Sequence, residues 1–75
     1  MKLRINNFYL INSDVLIKVI KEQYNYDARR REWVCHIFND KNISSLILNE
    51  RTAKFFRAKR ISKYIANNYL VLHNI

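Results

Sequence analysis

The stretch EWVCHIFNDKNISSLIL, residues 32–48, decides the fold because it holds two alternating segments around a turn. In residues 32–38 both sides of an extended chain are largely apolar, which is typical of a strand in the middle of a sheet. One side carries Trp33, Cys35 and Ile37, and the other carries Val34, His36 and Phe38. NDKN, residues 39–42, is a turn signal without glycine, and residues 43–48 return as the partner strand. The stretch therefore predicts a β-hairpin with Trp33 in the core.

The segments before this hairpin are also β-rich. Residues 2–11 alternate, and the change of parity at Asn6-Asn7 predicts a turn or a bulge. Residues 12–14 form a turn or a helix cap. In residues 15–26 the β-branched run VLIKVI favours a strand. A helix over residues 14–25 is the alternative, because its apolar residues also share a helical face.

Residues 50–69 contain no helix breaker and follow the helical period, and Asn49 is well placed to cap them. The period turns Phe55, Ala58, Ile61 and Ile65 towards the sheet. We therefore predict an α+β fold, in which a small antiparallel sheet of three or four strands is covered by one amphipathic C-terminal helix. The 75 residues form a single domain, residues 1–75.

The composition excludes several function classes. Glycine and proline are both absent, which removes the P-loop and the dinucleotide fingerprint and leaves turns to Asn, Asp and Ser. The formal charge of +8 is uneven, since residues 51–75 contain six basic and no acidic side chains. Such asymmetry indicates an anionic partner, with nucleic acid (DNA or RNA) first and an acidic protein surface second.

The expected compartment is the cytoplasm. A single cysteine cannot form an internal disulfide, the amino terminus lacks the features of a signal peptide, and no apolar run is long enough to span a membrane. The abundant Asn, Ile, Lys, Tyr and Phe all have AT-rich codons, which are typical of a phage, a mobile element or a parasite genome; for a phage-encoded protein the compartment is the host cell cytoplasm. A core this small can be completed by a second copy, so a homodimer is among the expected partners.

Nothing in the sequence predicts catalysis. Cys35, His36 and His73 lack the spacing of a metal site, and Cys35 and His36 point to opposite sides of a strand. The six acidic residues are scattered singly, whereas a nuclease needs carboxylates that converge on a metal. We therefore predict no catalytic residue, no metal and no cofactor, and hence a non-enzyme.

Two basic groups are the candidate binding residues. The first group lies on the face of the predicted helix that points away from the sheet. Its basic side chains would contact phosphates, and Phe56 and Tyr64 would stack on bases or fill a partner's pocket. Its members are Phe56, Arg57, Lys59, Arg60, Lys63 and Tyr64. The second group, Arg29, Arg30 and Arg31, falls in the predicted connector before the hairpin, where it can clamp a phosphate backbone.

The segments REWVCHIF, NDKN, ISSLIL and NERTAKFFRAKRISKYI follow one another as strand, turn, strand and helix. Over residues 30–69 this layout resembles the small sheet-plus-helix DNA-binding domains of phage and transposon integrases. The resemblance implies that a sheet enters the major groove and that a helix braces it from behind. That family usually has glycine in its turns, and its helix is a brace. Here glycine is absent and the predicted helix carries most of the charge, so no functional residue is carried over.

The leading hypothesis is a small, basic, non-enzymatic nucleic-acid-binding protein, encoded by a phage or mobile element. The alternative is an inhibitor or adaptor that docks its basic and aromatic face on an acidic surface of a host enzyme or defence complex. A third hypothesis is a subunit of a ribonucleoprotein particle.

Overall fold

The computed structural model describes residues 2–39 and 42–72, so part of the NDKN turn and the end of the chain, including His73, lie outside the described residues. The elements in chain order are β1 (Phe8–Ile11), β2 (Val15–Asn25), β3 (Arg30–Asn39), β4 (Asn42–Asn49), α1 (Glu50–Phe55), β5 (Lys59–Ile61) and α2 (Lys63–Leu72). The strands form one antiparallel sheet of five, in the order β4-β3-β2-β1-β5. The α+β class is confirmed, with one strand more than predicted. None of the helices in the described part of the chain is long and apolar enough to cross a membrane.

The predicted hairpin is confirmed, and residues 15–25 are a strand rather than the alternative helix. In β3 and β4, Trp33 lies opposite Leu48 and Cys35 opposite Leu46. β2 pairs with β3 from Leu16 to Asn25, with a bulge between Val19 and Lys21. Trp33 is 1% exposed, as expected for a core residue.

Asparagine and serine form the turns of the amino-terminal half, as the glycine-free composition predicts. Asn6, Asn12 and Ser13 have φ angles of 69°, 51° and 68°, in the left-handed region where a side chain is usually unfavourable. The Asn6 N–H donates to the Val19 carbonyl at 2.7 Å, which fixes the turn that precedes β1 against β2. The parity change at Asn6-Asn7 is therefore a turn.

One face of the sheet, which we call the α1 face, carries the larger core. Alternate residues of the strands point to this side, where they pack with Ala53 of α1 and Ala58 after it. The cluster comprises Leu3, Tyr9, Ile11, Ile17, Val19, Trp33, Cys35, Leu48, Ala53 and Ala58. Its members come from the amino-terminal segment, from β1 to β4 and from the chain around α1, so it ties almost the whole fold together.

The opposite face, which we call the α2 face, carries a smaller core under α2. Phe8 and Leu16, which alternate with members of the first cluster, are buried here with Ala66 of α2. The Tyr69 hydroxyl donates to the Asp14 carbonyl at 2.7 Å and so fastens α2 to the β1–β2 turn. The sheet is thus a middle layer with one helix on each face.

The single helix predicted over residues 50–69 is wrong, although its cap is correct. The Asn49 side chain accepts from the Thr52 N–H at 2.9 Å, and the Thr52 hydroxyl accepts from the Asn49 N–H at 2.9 Å. α1 then ends at Phe55, where the Arg57 N–H donates to the Lys54 carbonyl at 3.1 Å and the Ala58 N–H to the Ala53 carbonyl at 2.9 Å. These two bonds form a Schellman motif, and Arg57, with φ of 54°, occupies the position where glycine is usual.

Because the helix ends at Phe55, several residues that were predicted to be buried are exposed, or are buried outside a helix. Phe55 is 77% exposed, whereas Phe56 packs against the core of the α1 face, so the predicted roles of the two phenylalanines are reversed. Ile61 lies in β5 opposite Phe8 and is half-buried, but Ile65 is 53% exposed on α2. Of the predicted helix stripe, Ala58 is buried as expected, although it lies outside any helix.

Replacing Arg57 with glycine tests the helix break. A left-handed residue with a Cβ costs about 1–2 kcal/mol, and the greater unfolded-state entropy of glycine offsets about 0.5–1 kcal/mol of the gain. We expect Arg57→Gly to raise the free energy of unfolding by up to about 1 kcal/mol in urea denaturation. The control Lys54→Gly, inside α1, should lower it by about 1 kcal/mol. If Arg57→Gly also lowered the free energy of unfolding by about 1 kcal/mol, the left-handed conformation of Arg57 at the end of α1 would be contradicted.

Candidate nucleic-acid interface

The arginine triplet sits on the β2–β3 hairpin rather than in a free connector. Arg29 ends the four-residue turn after β2, whereas Arg30 and Arg31 are the first residues of β3. The Asn25 side chain accepts from the Ala28 N–H at 3.0 Å and so holds the turn. Arg29 has φ of 53°, a left-handed conformation that an arginine seldom adopts. The prediction of a loop is therefore correct for Arg29 and wrong for the other two.

A groove forms where this hairpin meets the junction of β4 and α1, and we call it the arginine groove. It has a volume of about 510 Å³. Its lining residues are Tyr24, Arg29, Arg30, Arg31, Asn49, Glu50 and Arg51. Arg51 was not among the predicted binding residues, because only the pairing of β4 with β3 brings residue 51 next to the hairpin. Four arginines from two distant parts of the sequence thus line one groove.

Two of these four arginines have carboxylate partners. Arg31 Nε lies 3.1 Å from Glu22 Oε1, and Arg30 Nε lies 3.6 Å from Glu32 Oε2. Glu32 is buried, and it also accepts from the side-chain amides of Gln23 at 3.4 Å and Asn25 at 3.2 Å. Glu32 therefore holds the hairpin end together. In the part of the chain that the structure describes, neither Arg29 nor Arg51 forms an ion pair.

The second predicted group does not lie on one helix face. Arg57 follows α1, Lys59 and Arg60 belong to β5, and Lys63 opens α2. Arg60 pairs with Tyr9 and Lys59 with Leu10, so the two side chains point to opposite faces of the sheet. We call Arg57, Lys59, Arg60 and Lys63 the basic edge, because they surround the outer strand of the sheet.

The basic edge is exposed and uncompensated. All four of its side chains are exposed, and among residues 2–39 and 42–72 none of them has a carboxylate within ion-pairing distance. Tyr64, also predicted as a binding residue, is 75% exposed at the start of α2. Phe56, the remaining member of the predicted set, is half-buried, and it packs against the core of the α1 face.

α1 connects the arginine groove to the basic edge. Arg51, Lys54 and Phe55 are all exposed, and their spacing of three and four residues places them together on the outer side of α1. The ring of Phe55 stands edge-on to Phe56, with 5.2 Å between the centroids. α1 has 6 residues and is about 9 Å long, so α1 and the residues after it together cross the width of about 19 Å, or four strand spacings, from β4 to β5. Cationic side chains therefore follow the α1 face from one edge to the other.

The remaining polar groups do not form a metal or nucleophilic site. Among the residues that the structure describes, no three His, Cys, Asp or Glu side chains converge as metal ligands would. Cys35 is fully buried, and its thiol donates to the Trp33 carbonyl at 3.8 Å. Burial raises the pKa of the Cys35 thiol from its usual 9.0 to about 11, so at neutral pH it is an unreactive core group.

This pKa gives a test of the core. Between pH 9 and pH 11 the unfolded chain releases the Cys35 proton and the folded chain retains it, so rising pH favours unfolding. We expect the thiol to lower the free energy of unfolding by about 2–3 kcal/mol across this range. Urea denaturation of the protein and of Cys35→Ala at several pH values isolates the effect. Parallel pH profiles for the two proteins would contradict the burial of the thiol.

Comparison with protein-family models, with curated proteins and with solved structures finds no match to this chain.

Proposed function

We propose that this protein is a non-enzymatic nucleic-acid-binding protein that contacts the phosphate backbone. The observation that carries the proposal is the set of six cations between Arg51 and Lys63, all exposed and none with a carboxylate partner among the described residues. The set comprises Arg51, Lys54, Arg57, Lys59, Arg60 and Lys63. A polyanion releases its counterions when it meets such a surface, and that release drives binding.

The backbone supports a role for two of the arginines. Arg29 and Arg57 both hold left-handed conformations, at φ of 53° and 54°, where glycine or asparagine would be more stable. Positions of this kind are enriched at functional sites. Both arginines extend the cationic surface, since Arg29 lines the arginine groove and Arg57 belongs to the basic edge. We infer that their charge is retained for binding at a small loss of stability.

Exposed aromatic rings supply a second kind of contact. Phe55 lies between Arg51 and the basic edge, and Tyr24 lines the arginine groove. Such rings can stack on unpaired bases, and stacking is worth about 1–3 kcal/mol per base. The surface thus combines phosphate contacts with stacking, which favours a single-stranded or locally opened nucleic acid. The resemblance to integrase DNA-binding domains and the phage or mobile-element origin stay predictions.

A protein partner is the second candidate function, and α2 favours it. Tyr64, Ile65, Val71 and Leu72 are all exposed on this helix, next to Lys63. Exposed aromatic and aliphatic side chains beside a cation are typical of protein interfaces. An acidic host protein surface would meet the basic edge while these residues fill its pockets. Capture of a partner that survives nuclease treatment and is lost in Tyr64→Ala would support this candidate.

Salt titration tests the nucleic-acid proposal. We expect log K for single-stranded and duplex DNA and RNA to fall linearly with log salt, with a contribution of about 0.7–0.9 per phosphate contact. Arg60→Gln with Lys63→Gln should lower the slope by about 2 and weaken binding about 10–100-fold at low salt. The matched control is Lys2→Gln with Lys21→Gln, which removes the same charge from exposed positions elsewhere. Fluorescence anisotropy with labelled oligonucleotides measures the affinity and the salt slope of each variant.

Two outcomes would overturn the proposal. One is the absence of binding to any of the four nucleic acids at low ionic strength. The other is an equal loss for the two double variants, because binding would then follow net charge rather than the basic edge. Phe55→Ala separates the two kinds of contact, since it should weaken single-stranded binding about 5–100-fold and leave the salt slope unchanged.

A further inference from the structure

The outer edge of β4 is a free strand edge. β4 is the terminal strand of the sheet and is 8 residues long. Its inner side pairs with β3, and apart from the bond that the Asn49 N–H donates to the Thr52 hydroxyl at its end, no hydrogen bond joins its outer side to another described part of the chain. α1 leaves from the end of β4 across the α1 face, so it does not cover this edge. Alternate N–H and C=O groups of β4 therefore face outward and can pair with another strand.

The two edges of the sheet differ in how they are protected against such pairing. β5 has 3 residues, and two of them, Lys59 and Arg60, are cations on opposite faces. Short length and charge are the usual means by which an edge strand resists association. β4, with the sequence NISSLILN, has no charged residue, and its register with β3 runs without a shift. One edge is thus protected and the other is open.

Electrostatics indicates what can occupy the open edge. At +8 this chain repels other copies of itself, most strongly at the basic edge. β4 lies about 19 Å from β5, more than two Debye lengths of about 8 Å at physiological salt, so that repulsion is largely screened there. A second copy would bring an uncharged strand of the same sequence. It would also cover Ile47, which is 53% exposed on the α2 face of β4.

The geometry of a symmetric pair suits this chain. In a two-fold arrangement the β4 strands run antiparallel, so the end of one at Asn49 lies beside the start of the other at Asn42. The two arginine grooves, each next to its own Asn49, are then separated by roughly the strand length of about 27 Å. Like charges are thereby kept apart, and one continuous antiparallel sheet of about ten strands results.

We infer that β4 is a self-association edge through which two copies of this chain pair in an antiparallel, two-fold symmetric dimer. A parallel pair of β4 strands is less favourable, because it would set the two cationic arginine grooves side by side. This inference is independent of the proposed function, because no residue of the basic edge takes part in it.

Placing cations on both faces of β4, as β5 has them, tests the inference. Ser44 and Ser45 are exposed and alternate between the faces, so Ser44→Lys with Ser45→Lys puts a lysine on each side of the edge. The matched control, Asn67→Lys with Asn68→Lys, adds the same charge at exposed positions of α2. Sedimentation equilibrium is run in high salt without nucleic acid, and circular dichroism confirms that each variant folds.

We expect the protein and the α2 control to have about twice the mass of the 9.2 kDa chain, and the β4 variant to have the mass of one chain. A protein that stays monomeric at millimolar concentration overturns the inference. A dimer that survives the two β4 lysines overturns it as well, because the copies then meet through another surface, such as the exposed residues of α2. Equal loss in both variants would indicate charge repulsion alone and would also overturn it.

A cross-link locates the contact. Cys35 is buried, so Ser45→Cys introduces one accessible thiol near the centre of β4. A short bis-maleimide should join two Ser45→Cys chains efficiently, since a two-fold axis near the centre of β4 sets the two residues opposite or diagonal to each other, about 5–8 Å apart. Asn68→Cys on α2 serves as the control and should give little dimer. Efficient cross-linking of Asn68→Cys with none of Ser45→Cys would place the interface on α2 instead.

Discussion

Apolar side chains on both faces of the inner strands are the constraint on which the rest of this structure depends. In β1 and β2, Tyr9 and Ile17 point to the α1 face while Phe8 and Leu16 point to the α2 face, and all four are buried. Each such burial contributes about 1.5–3 kcal/mol, so a domain of this size cannot leave either face in water. One helix covers only one face of a sheet. The residues after β4 must therefore cover both faces, and the chain has to pass around an edge.

This passage explains where the charge lies. The chain covers the α1 face as α1, turns at Arg57, adds β5 to the edge and covers the α2 face as α2. A segment that rounds an edge is exposed on several sides, so its cations remain in water and surround the strand instead of lining one helix face. The same cations protect β5 from pairing. Charge at this position therefore protects the edge whether or not it also binds a polyanion, as we propose.

The first four strands could be predicted from the sequence, whereas β5 and the helix break before it could not. Strict alternation in β3 and β4, and β-branched residues in β2, identify the strands because their pattern follows directly from burial on two faces. Residues 50–69 fit the helical period and contain no glycine or proline, so nothing local marks Arg57 as a left-handed residue. The break is imposed by the uncovered α2 face, which is a tertiary requirement. For the same reason the sequence predicted Arg29, Arg30 and Arg31 as binding residues but not Arg51. Only strand pairing brings Arg51 to the same groove as Arg29.

The two edges also set what a dimer could do with nucleic acid. In a sheet that pairs through β4, the two β5 strands lie at opposite ends, nine strand spacings or about 43 Å apart before twist is considered. Half-sites on one side of a duplex are separated by about 34–36 Å, and the proteins that use them direct both binding elements to the same side. Here the basic edges point away from each other, because each surrounds an outer strand. If the proposed dimer and the proposed nucleic-acid binding both hold, we expect the dimer to hold two separate nucleic-acid segments, or two turns of a wrapped one, rather than to read a single palindromic site.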